Sequence, residues 1–367
     1  MTKLKFGLHK RFYEDKTAPR RPPDVVLGVP GGGSPFGSTR YKRARLCPFE
    51  DAMVSIAKLR PKRDKEPLTV GWILHQCWEA YYLTIKAHQD KLAFPKRKNR
   101  PAWEWYFYGA EPEAEKAGLR ILELFEKEEG YLDTLATCGR VFQAYCEHYR
   151  RSAEWKILAV EETLVMERPV AESFGKPLSL VDQDGDRIDY DVWRYSARLD
   201  LVIERWDIGD PALWIVEHKS AKFLSADLLS GYQLDMQILG QVWLVKNTVD
   251  LTQYSPFKGV IVNIATKHAT PKFERLEVCP STDHLAEFER STQQWGLMNE
   301  VYKGLGHPRA LGTCAGALRG YSQCAYYDCC HTKPSWTIAD FTREEPLDGY
   351  YREDRPFIDA DDYEDYS

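Results

Sequence analysis

Ser196-Ala197-Arg198-Leu199-Asp200-Leu201-Val202-Ile203 and Leu213-Trp214-Ile215-Val216-Glu217-His218-Lys219 are two apolar runs, each holding a lone acid, and the second closes on Glu-x-Lys. Runs this short, bounded and rich in branched residues read as strands. Side chains two apart on a strand share a face, so Glu217 and Lys219 point the same way. Paired as neighbours, the two strands bring Asp200, Glu217 and Lys219 to one edge of a sheet. Carboxylate oxygens suit Mg2+ or Mn2+, and an ammonium suits a phosphate or the water that attacks it. The carbonyl of His218, between Glu217 and Lys219, offers a third oxygen ligand. This donor set fits metal-assisted hydrolysis of a phosphodiester. Taken alone, Glu-x-Lys reads as a surface salt bridge at a strand end. The apolar run before it and the acid one strand earlier argue for the site.

Away from this core the helical period takes over. Residues 68–92 place Trp72, His75, Cys77, Trp78, Tyr81 and Tyr82 at helical spacing, and residues 111–150 read as one or two further helices. Strand-like runs follow at 157–160, 198–203, 213–216 and 260–262. A helix is predicted over 228–245, between the last two of these, and another over 283–304. No internal repeat is visible. The expected fold class is α/β, a small mixed β-sheet flanked by helices.

The 367 residues can bury a full core. No run of about 18 apolar residues exists, so no membrane span is expected. Met1-Thr2-Lys3-Leu4-Lys5-Phe6 lacks the apolar centre of a signal peptide, and a cytoplasmic protein with reduced cysteines is expected. The net charge of −5 is unevenly spread. Residues 1–65 hold sixteen Lys and Arg against six acids, whereas residues 340–367 hold eleven acids against three arginines. A second basic run, Lys96-Arg97-Lys98-Asn99-Arg100, follows the first predicted helix. A basic front with an acidic tail suits a nucleic-acid-binding protein, and solvated surface charge is the alternative. Val29-Pro30-Gly31-Gly32-Gly33-Ser34-Pro35 marks a loop or arm; its glycines lack the Lys-Ser/Thr and the helix of a phosphate loop.

Asp200, a short loop, then Glu217-x-Lys219 resembles the PD-(D/E)XK nuclease core. More narrowly it resembles the RecB/AddB-type and CRISPR-associated RecB-like iron–sulfur exonucleases, phage-encoded relatives included. Gly71-Trp72-Ile73-Leu74-His75 resembles the Gly-x-x-x-His helix that precedes the core in that family. Tyr232-Gln233-Leu234-Asp235-Met236-Gln237-Ile238-Leu239-Gly240-Gln241 resembles its Gln-x-x-x-Tyr helix in two registers, Gln233 with Gln237 or Gln237 with Gln241. Neither register supplies the Tyr. Gln237 is preferred, because Gln-Ile-Leu-Gly before an apolar helix resembles the phage members best. Glutamines four apart share a helix face, so a plain polar stripe is the alternative. The resemblance implies a restriction-endonuclease-like core. It implies His75 as a metal ligand beside Asp200, Glu217 and His218, and Asp200, Glu217, Lys219 and Gln237 as catalytic residues. Read by itself, His75 is a core or surface histidine. Glu161, or Glu162 next to it, sits where some nucleases of this class place an upstream acid.

Four of the nine cysteines, Cys314, Cys324, Cys329 and Cys330, fall within one short segment, and Cys47 precedes Pro48-Phe49 far upstream. Clustered thiols in a reduced compartment point to a metal site, a [4Fe–4S] cluster or a structural Zn2+. One Cys before the core and three after it resembles the iron–sulfur staple of the same exonucleases, with Cys47, Cys314, Cys324 and Cys330 as the implied ligands. Cys329 competes with Cys330. Small hydrophobes in a Tyr-rich packing patch are the alternative, and that role is expected of Cys77, Cys138 and Cys146.

These readings combine into a flexible basic arm over 1–40, a single nuclease domain over 41–335 and an acidic tail over 336–367. Within the domain, 41–150 is the helical part, 151–275 the catalytic core and 276–335 a helix with the cysteine segment. The implied function is a metal-dependent DNA nuclease, an exonuclease by the resemblance, in recombination, repair or CRISPR-type DNA processing. DNA of single-stranded character is the expected partner, together with recombination or adaptation proteins, in the host-cell cytoplasm if the chain is phage-encoded. Basic side chains near 40–65 and 96–100 would steer the strand, and Trp103, Trp105, Tyr106 and Tyr108 would stack on unpaired bases or pack a core. The rival reading is a non-catalytic DNA-binding or interaction protein that keeps the fold and the cluster.

Overall fold

A computed structural model describes residues 38–61, 66–91, 110–126, 132–149, 155–169, 178–181, 187–190, 192–206, 210–310, 324–347 and 350–352. Nearly all of the basic arm, the 96–100 run, Trp103, Trp105, Tyr106, Tyr108, Cys314 and residues 353–367 lie outside them. Two short helices, α1 (Ser38–Leu46) and α2 (Pro48–Ser55), lead through β1 (Leu59–Pro61) to the long α3 (Glu66–Lys91). Next come α4 (Glu111–Phe125), α5 (Leu132–Tyr149), β2 (Trp155–Pro169), the strand pair β3 (Leu178–Val181) and β4 (Arg187–Tyr190), β5 (Val192–Trp206) and β6 (Pro211–Ala221). The short α6 (Ala226–Gly231) and a 3-10 turn (Tyr232–Leu234) precede α7 (Met236–Thr248), β7 (Phe257–Thr266) and β8 (Phe273–Val278). The chain then forms α8 (Thr282–Leu305), α9 (Tyr327–Thr332), α10 (Ile338–Arg343) and β9 (Tyr350–Arg352).

The fold is mixed α/β, as the strand and helix periods predict. A five-stranded sheet runs in the order β2-β5-β6-β7-β8. The β5–β6 and β7–β8 pairs are antiparallel and β6–β7 is parallel. The parallel pair needs a crossover, which α6 and α7 supply. β6 is central and buried from Ala212 to His218, which is why its sequence is a near-continuous apolar run.

The described residues divide into two compact units. One comprises residues 66–164 and 198–284; the other comprises 38–61, 165–197 and 285–352. In the first unit α3 carries Val70, Ile73, Leu74, Cys77, Trp78, Tyr81, Tyr82 and Ile85, all buried and all at helical spacing. They meet Cys138, Val141, Phe142 and Tyr145 of α5 and Val216 and Ile261 of the sheet. Cys77, Cys138 and Cys146 are buried in this core, the packing role expected of them.

In the second unit Cys47, Phe49, Met53, Leu59, Cys324, Tyr326, Cys329, Ile338, Phe341 and Tyr350 form one buried cluster. β1 pairs antiparallel with β9, and Tyr326 Oη donates to the Leu59 carbonyl at 2.8 Å. Asp51 is buried because the Arg40 and Arg43 guanidinium groups stand 3.2 and 3.1 Å from its two oxygens. The sequence reading sets 336–367 apart as an acidic tail, but part of that segment is built into this unit. Thr337 and Asp340 cap α10 reciprocally, and Arg352 donates to the carbonyls of Ala57, Phe341 and Glu344. The acids dominate the composition there, while the few apolar side chains among them decide the packing.

Phe341→Ala is therefore expected to destabilise the protein by about 3–5 kcal/mol, as a buried aromatic truncation does. Urea unfolding measures this; an unchanged midpoint would return the segment to a solvated tail.

Candidate metal centre

The β5–β6 ladder ends at Leu201 opposite Val216. Asp200 and Glu217 are the next residue on each strand, at the point where the described pairing stops. The His218 N–H donates to Asp200 Oδ2 at 2.7 Å, so a carboxylate takes the place of a ladder carbonyl. Both acids are buried, and Glu217 feels the Asp200 charge.

α3 delivers His75 to the same place. An added Cβ at Gly71 would stand 3.2 Å from Ser220 Oγ of β6, so the glycine lets the helix lie close to the strand. One turn on, His75 Nδ1 lies 3.5 Å from Asp200 Oδ2. Glu161 completes the group: ligand atoms of His75, Glu161 and Asp200 all lie within 4.8 Å of one another. Glu161 adopts φ 52°, the left-handed region, in the middle of β2. Trp155, Ile157 and Ala159 are buried before it, and Glu162, Leu164 and Met166 after it, so the alternation slips by one residue at this position. The slip places Glu162 among the buried positions and leaves Glu161 half-buried at the group. Arg198 Nε stands 2.7 Å from Glu161 Oε2, yet that buried oxygen receives no hydrogen bond.

Burial pushes the Glu161 carboxyl well above the ordinary range, and the Asp200 charge adds to it. Burial also raises Glu217, again with Asp200 as the next cause, against Lys219 and Gln241. For Asp200 burial acts upward too, but His75, His218 and Lys219 together hold it well below the usual carboxylate range. A donor set with crowded, partly frustrated carboxylates and an unbonded buried oxygen fits a hard divalent cation. Glu79, one turn beyond His75 on α3, is raised chiefly by burial and also feels Asp200. The sequence reading passed over Glu79; its four-residue spacing from His75 was the available signal.

Glu217 is placed beside this group but is not one of its three members. Its Oε1 accepts from Lys219 Nζ at 2.6 Å and from Gln237 Nε2 at 2.6 Å, and its Oε2 accepts from Gln241 Nε2 at 2.5 Å. Gln237 Oε1 in turn accepts from Lys219 Nζ at 2.9 Å. The Gln237 and Gln241 register is thus the one that meets Glu217, while Gln233 is exposed. Asp235 caps α7, accepting from the Gln237 N–H at 2.7 Å, which fixes where Gln237 leaves the helix. Burial lowers the Lys219 pKa, but the Glu217 charge and hydrogen bond outweigh it and leave the ammonium raised.

The His218 ring takes the opposite face of β6. It stacks on Trp78 at 4.8 Å, and its Nδ1 lies 3.6 Å from Asp200 Oδ2. Burial drives the imidazole pKa down, so the ring is neutral near pH 7. Its Nε2 lies 3.5 Å from Tyr145 Oη, which also meets Tyr82 Oη at 2.5 Å and accepts from Asn263 Nδ2 at 2.6 Å. A ring protonated on Nδ1 turns that hydrogen toward Asp200 and accepts from Tyr145. Polar contacts from Asn263 through Tyr145 and His218 thus back the strand behind the carboxylate.

Of the cysteines read as metal-cluster ligands, Cys47 and Cys324 are buried in the hydrophobic core of the second unit, Cys330 packs against it, and Cys314 lies outside the described residues. Cys47 sits at the N-cap of α2. Cys329 is fully buried, and its thiol is pushed up to about 11, by burial first.

No family model matches this chain, and no curated protein does. Among solved structures, the crystal structure of a candidate exonuclease from Eubacterium rectale overlaps 85% of this chain and 90% of its own, at 12% identity and a TM-score of 0.33. An overlap that loose bears on neither fold nor function. No helix among the described residues is long and apolar enough to cross a membrane.

A carboxyl raised by folding loses its proton later in the folded state than in the unfolded state, so it costs stability as pH climbs above the ordinary glutamate range. Glu161→Gln, which mimics the protonated form, is expected to raise the melting temperature of the metal-free protein by about 2–4 °C near pH 7.5. The gain should shrink through about pH 4.5 and disappear near pH 3.5, where the wild-type group binds a proton in both states. A thermal melt series across that range reads it out, and a gain that grows toward acid would show that the shift has the other sign.

Proposed function

We propose that this chain is a metal-dependent DNA nuclease of the PD-(D/E)XK kind, an exonuclease in recombination, repair or CRISPR-type DNA processing. The observation that carries the reading is the meeting of His75, Glu161 and Asp200 beside the Glu217–Lys219–Gln237 network. His75, Glu161 and Asp200 would hold Mg2+ or Mn2+, with Glu217 and the His218 carbonyl as the further ligands that the sequence motif suggests. A cation bound there supplies an activated water and offsets charge on the phosphoryl oxygens. Lys219 keeps its proton at neutral pH, so it acts as a donor and a positive charge and not as a base. Anchored by Glu217 and Gln237, its ammonium is already in place when charge develops on the phosphate. Gln237 and Gln241 hold Glu217 from one side of β6, and the His218 and Tyr145 chain holds Asp200 from the other.

The second unit's thiols support a structural metal. Cys47, Cys324 and Cys330, with Cys314, would hold a [4Fe–4S] cluster, and the fully buried, protonated Cys329 would serve as packing beside them. Such a cluster joins segments almost three hundred residues apart in sequence and removes loop entropy from the unfolded chain. Zn2+ is the alternative occupant of four thiolates.

Cleavage of DNA is expected to require Mg2+ or Mn2+, to stop on chelation, and to fall about 100-fold or more in Lys219→Ala. Gel assays on labelled single- and double-stranded DNA test this. Equal cleavage by wild type and variant would remove the catalytic reading in favour of a DNA-binding protein with the same fold. Anaerobic preparations are expected to be brown and to carry iron; a colourless protein carrying zinc would overturn the iron assignment alone.

A further inference from the structure

Lys219 and Arg198 are held differently by the fold. Lys219 is anchored: its ammonium donates to Glu217 Oε1 and to Gln237 Oε1, and its side chain is 25% exposed. Arg198 lies two residues before Asp200 on β5, so the two side chains share a face of the strand. Its backbone is fixed by the helix that holds Glu217, because Gln241 Nε2 donates both to Glu217 Oε2 and, at 3.4 Å, to the Arg198 carbonyl. Its side chain is not fixed in this way. It is 53% exposed, while the Glu161 side chain it faces is 13% exposed. Arg198 Nε comes within 2.7 Å of Glu161 Oε2, but no hydrogen is aimed at that oxygen. Toward the described residues the guanidinium donates no hydrogen bond. The pair is thus charge against charge, without the directed two-point bonding that makes an arginine–carboxylate contact strong.

The Glu161 carboxylate is also one of the three donors around which a cation would sit. A divalent ion there and the Arg198 guanidinium would stand side by side and repel each other. We propose that Arg198 pairs with Glu161 only until that carboxylate serves the cation, and that the released guanidinium is then a ligand of the substrate's phosphate; the assignment rests on the nuclease reading. The donor chemistry selects this ligand. A guanidinium is a rigid fork of N–H donors that matches two oxygens of a phosphodiester, and it keeps its charge wherever it turns. Position selects it too. Arg198 is the exposed member of the group around Glu161, whereas Asp200 and Glu217 are buried, so a phosphate arriving from solvent meets the guanidinium first. The exchange keeps every charge paired. Glu161 trades a guanidinium for a divalent ion, and the guanidinium trades a carboxylate for a phosphate. Lys219 takes no part in it, because Glu217 and Gln237 hold its ammonium in place.

The test uses the full chain and reads two ligands separately. Mn2+ alone is titrated by calorimetry, and fluorescein-labelled DNA, single-stranded and duplex, is titrated by anisotropy in Ca2+ over a range of salt. In Arg198→Gln, which keeps the side chain long, the Kd for Mn2+ is expected to fall about threefold or more, because a competing charge is gone. The Kd for DNA is expected to rise about tenfold, and its log–log salt slope to shrink by about 0.7–0.9, the share of one phosphate contact. Arg198→Lys keeps the charge without the fork, so it should keep the wild-type slope and recover only part of the affinity. Arg290→Gln, which removes an exposed charge paired with Glu287 in the other unit, is the control and should leave both constants unchanged. Opposite signs for metal and DNA are the mark of the exchange. Weaker binding of both ligands in Arg198→Gln would make the residue a support for Glu161 and overturn the proposal. An unmoved Mn2+ constant overturns the shared use of Glu161, and an unmoved salt slope overturns the phosphate contact. Wild type that still cuts DNA beside any of these results leaves the nuclease reading intact, whereas wild type that neither binds nor cuts DNA with Mn2+ overturns the nuclease reading itself. Should Arg198→Gln fail to fold, Arg198→Lys still decides the matter, since wild-type DNA affinity in that variant overturns the two-point contact.

Discussion

The structure of the first unit turns on one electrostatic constraint. Asp200 and Glu217 occupy adjoining buried positions where two strands stop pairing. Two carboxylates in a desolvated place repel each other, and neither can leave without breaking its strand. Everything nearby answers that charge. The His218 N–H and His75 face Asp200, while Lys219, Gln237 and Gln241 face Glu217. The division is uneven. Asp200 is held strongly ionised, whereas Glu217 and Glu161 are pushed toward their neutral forms. That residual imbalance is the physical reason the place suits a cation.

The sheet supplies the geometry for this answer. Alternation along β6 sends Glu217 and Lys219 to the α7 side and His218 to the α3 and α5 side. One strand therefore serves two networks. On one side, amides and an ammonium fix a carboxylate; on the other, an aromatic core of Trp78, Tyr82 and Tyr145 encloses a neutral imidazole. The core is thus the rigid support that keeps the backbone at His218 from shifting, which in turn fixes the hydrogen bond to Asp200. Left-handed backbone at Glu161 is the local exception. A residue of this type in that region stores a small strain, here spent on aiming a third donor.

Much of this was legible before any coordinates. Apolar runs interrupted by Asp200 and Glu217 give the central strands, and helical spacing from Trp72 to Tyr82 gives α3 and its buried face. Glu-x-Lys gives its own orientation, because alternation on a strand is fixed. Glu161 was harder to read. It stands beside Glu162 in a strand pattern, and a one-residue slip that reverses inside and outside leaves no mark on composition. Gln241 was visible only as one of two registers. The fate of residues 336–352 was obscured by their acids, although Ile338, Phe341 and Tyr350 carry the packing there.

By itself, then, the sequence determined which residues could form buried strands and helices and which chemical groups they carried. Periodicity is a local property, set by the 2-residue and 3.6-residue repeats of the backbone. Which groups meet was decided only by the tertiary structure. His75, Glu161 and Asp200 lie on α3, β2 and β5, and Gln241 reaches Glu217 from α7, so their distances depend on strand order, on the crossover and on a slip within β2. Those are non-local choices, made by the packing of the whole core, and no short stretch of residues contains them.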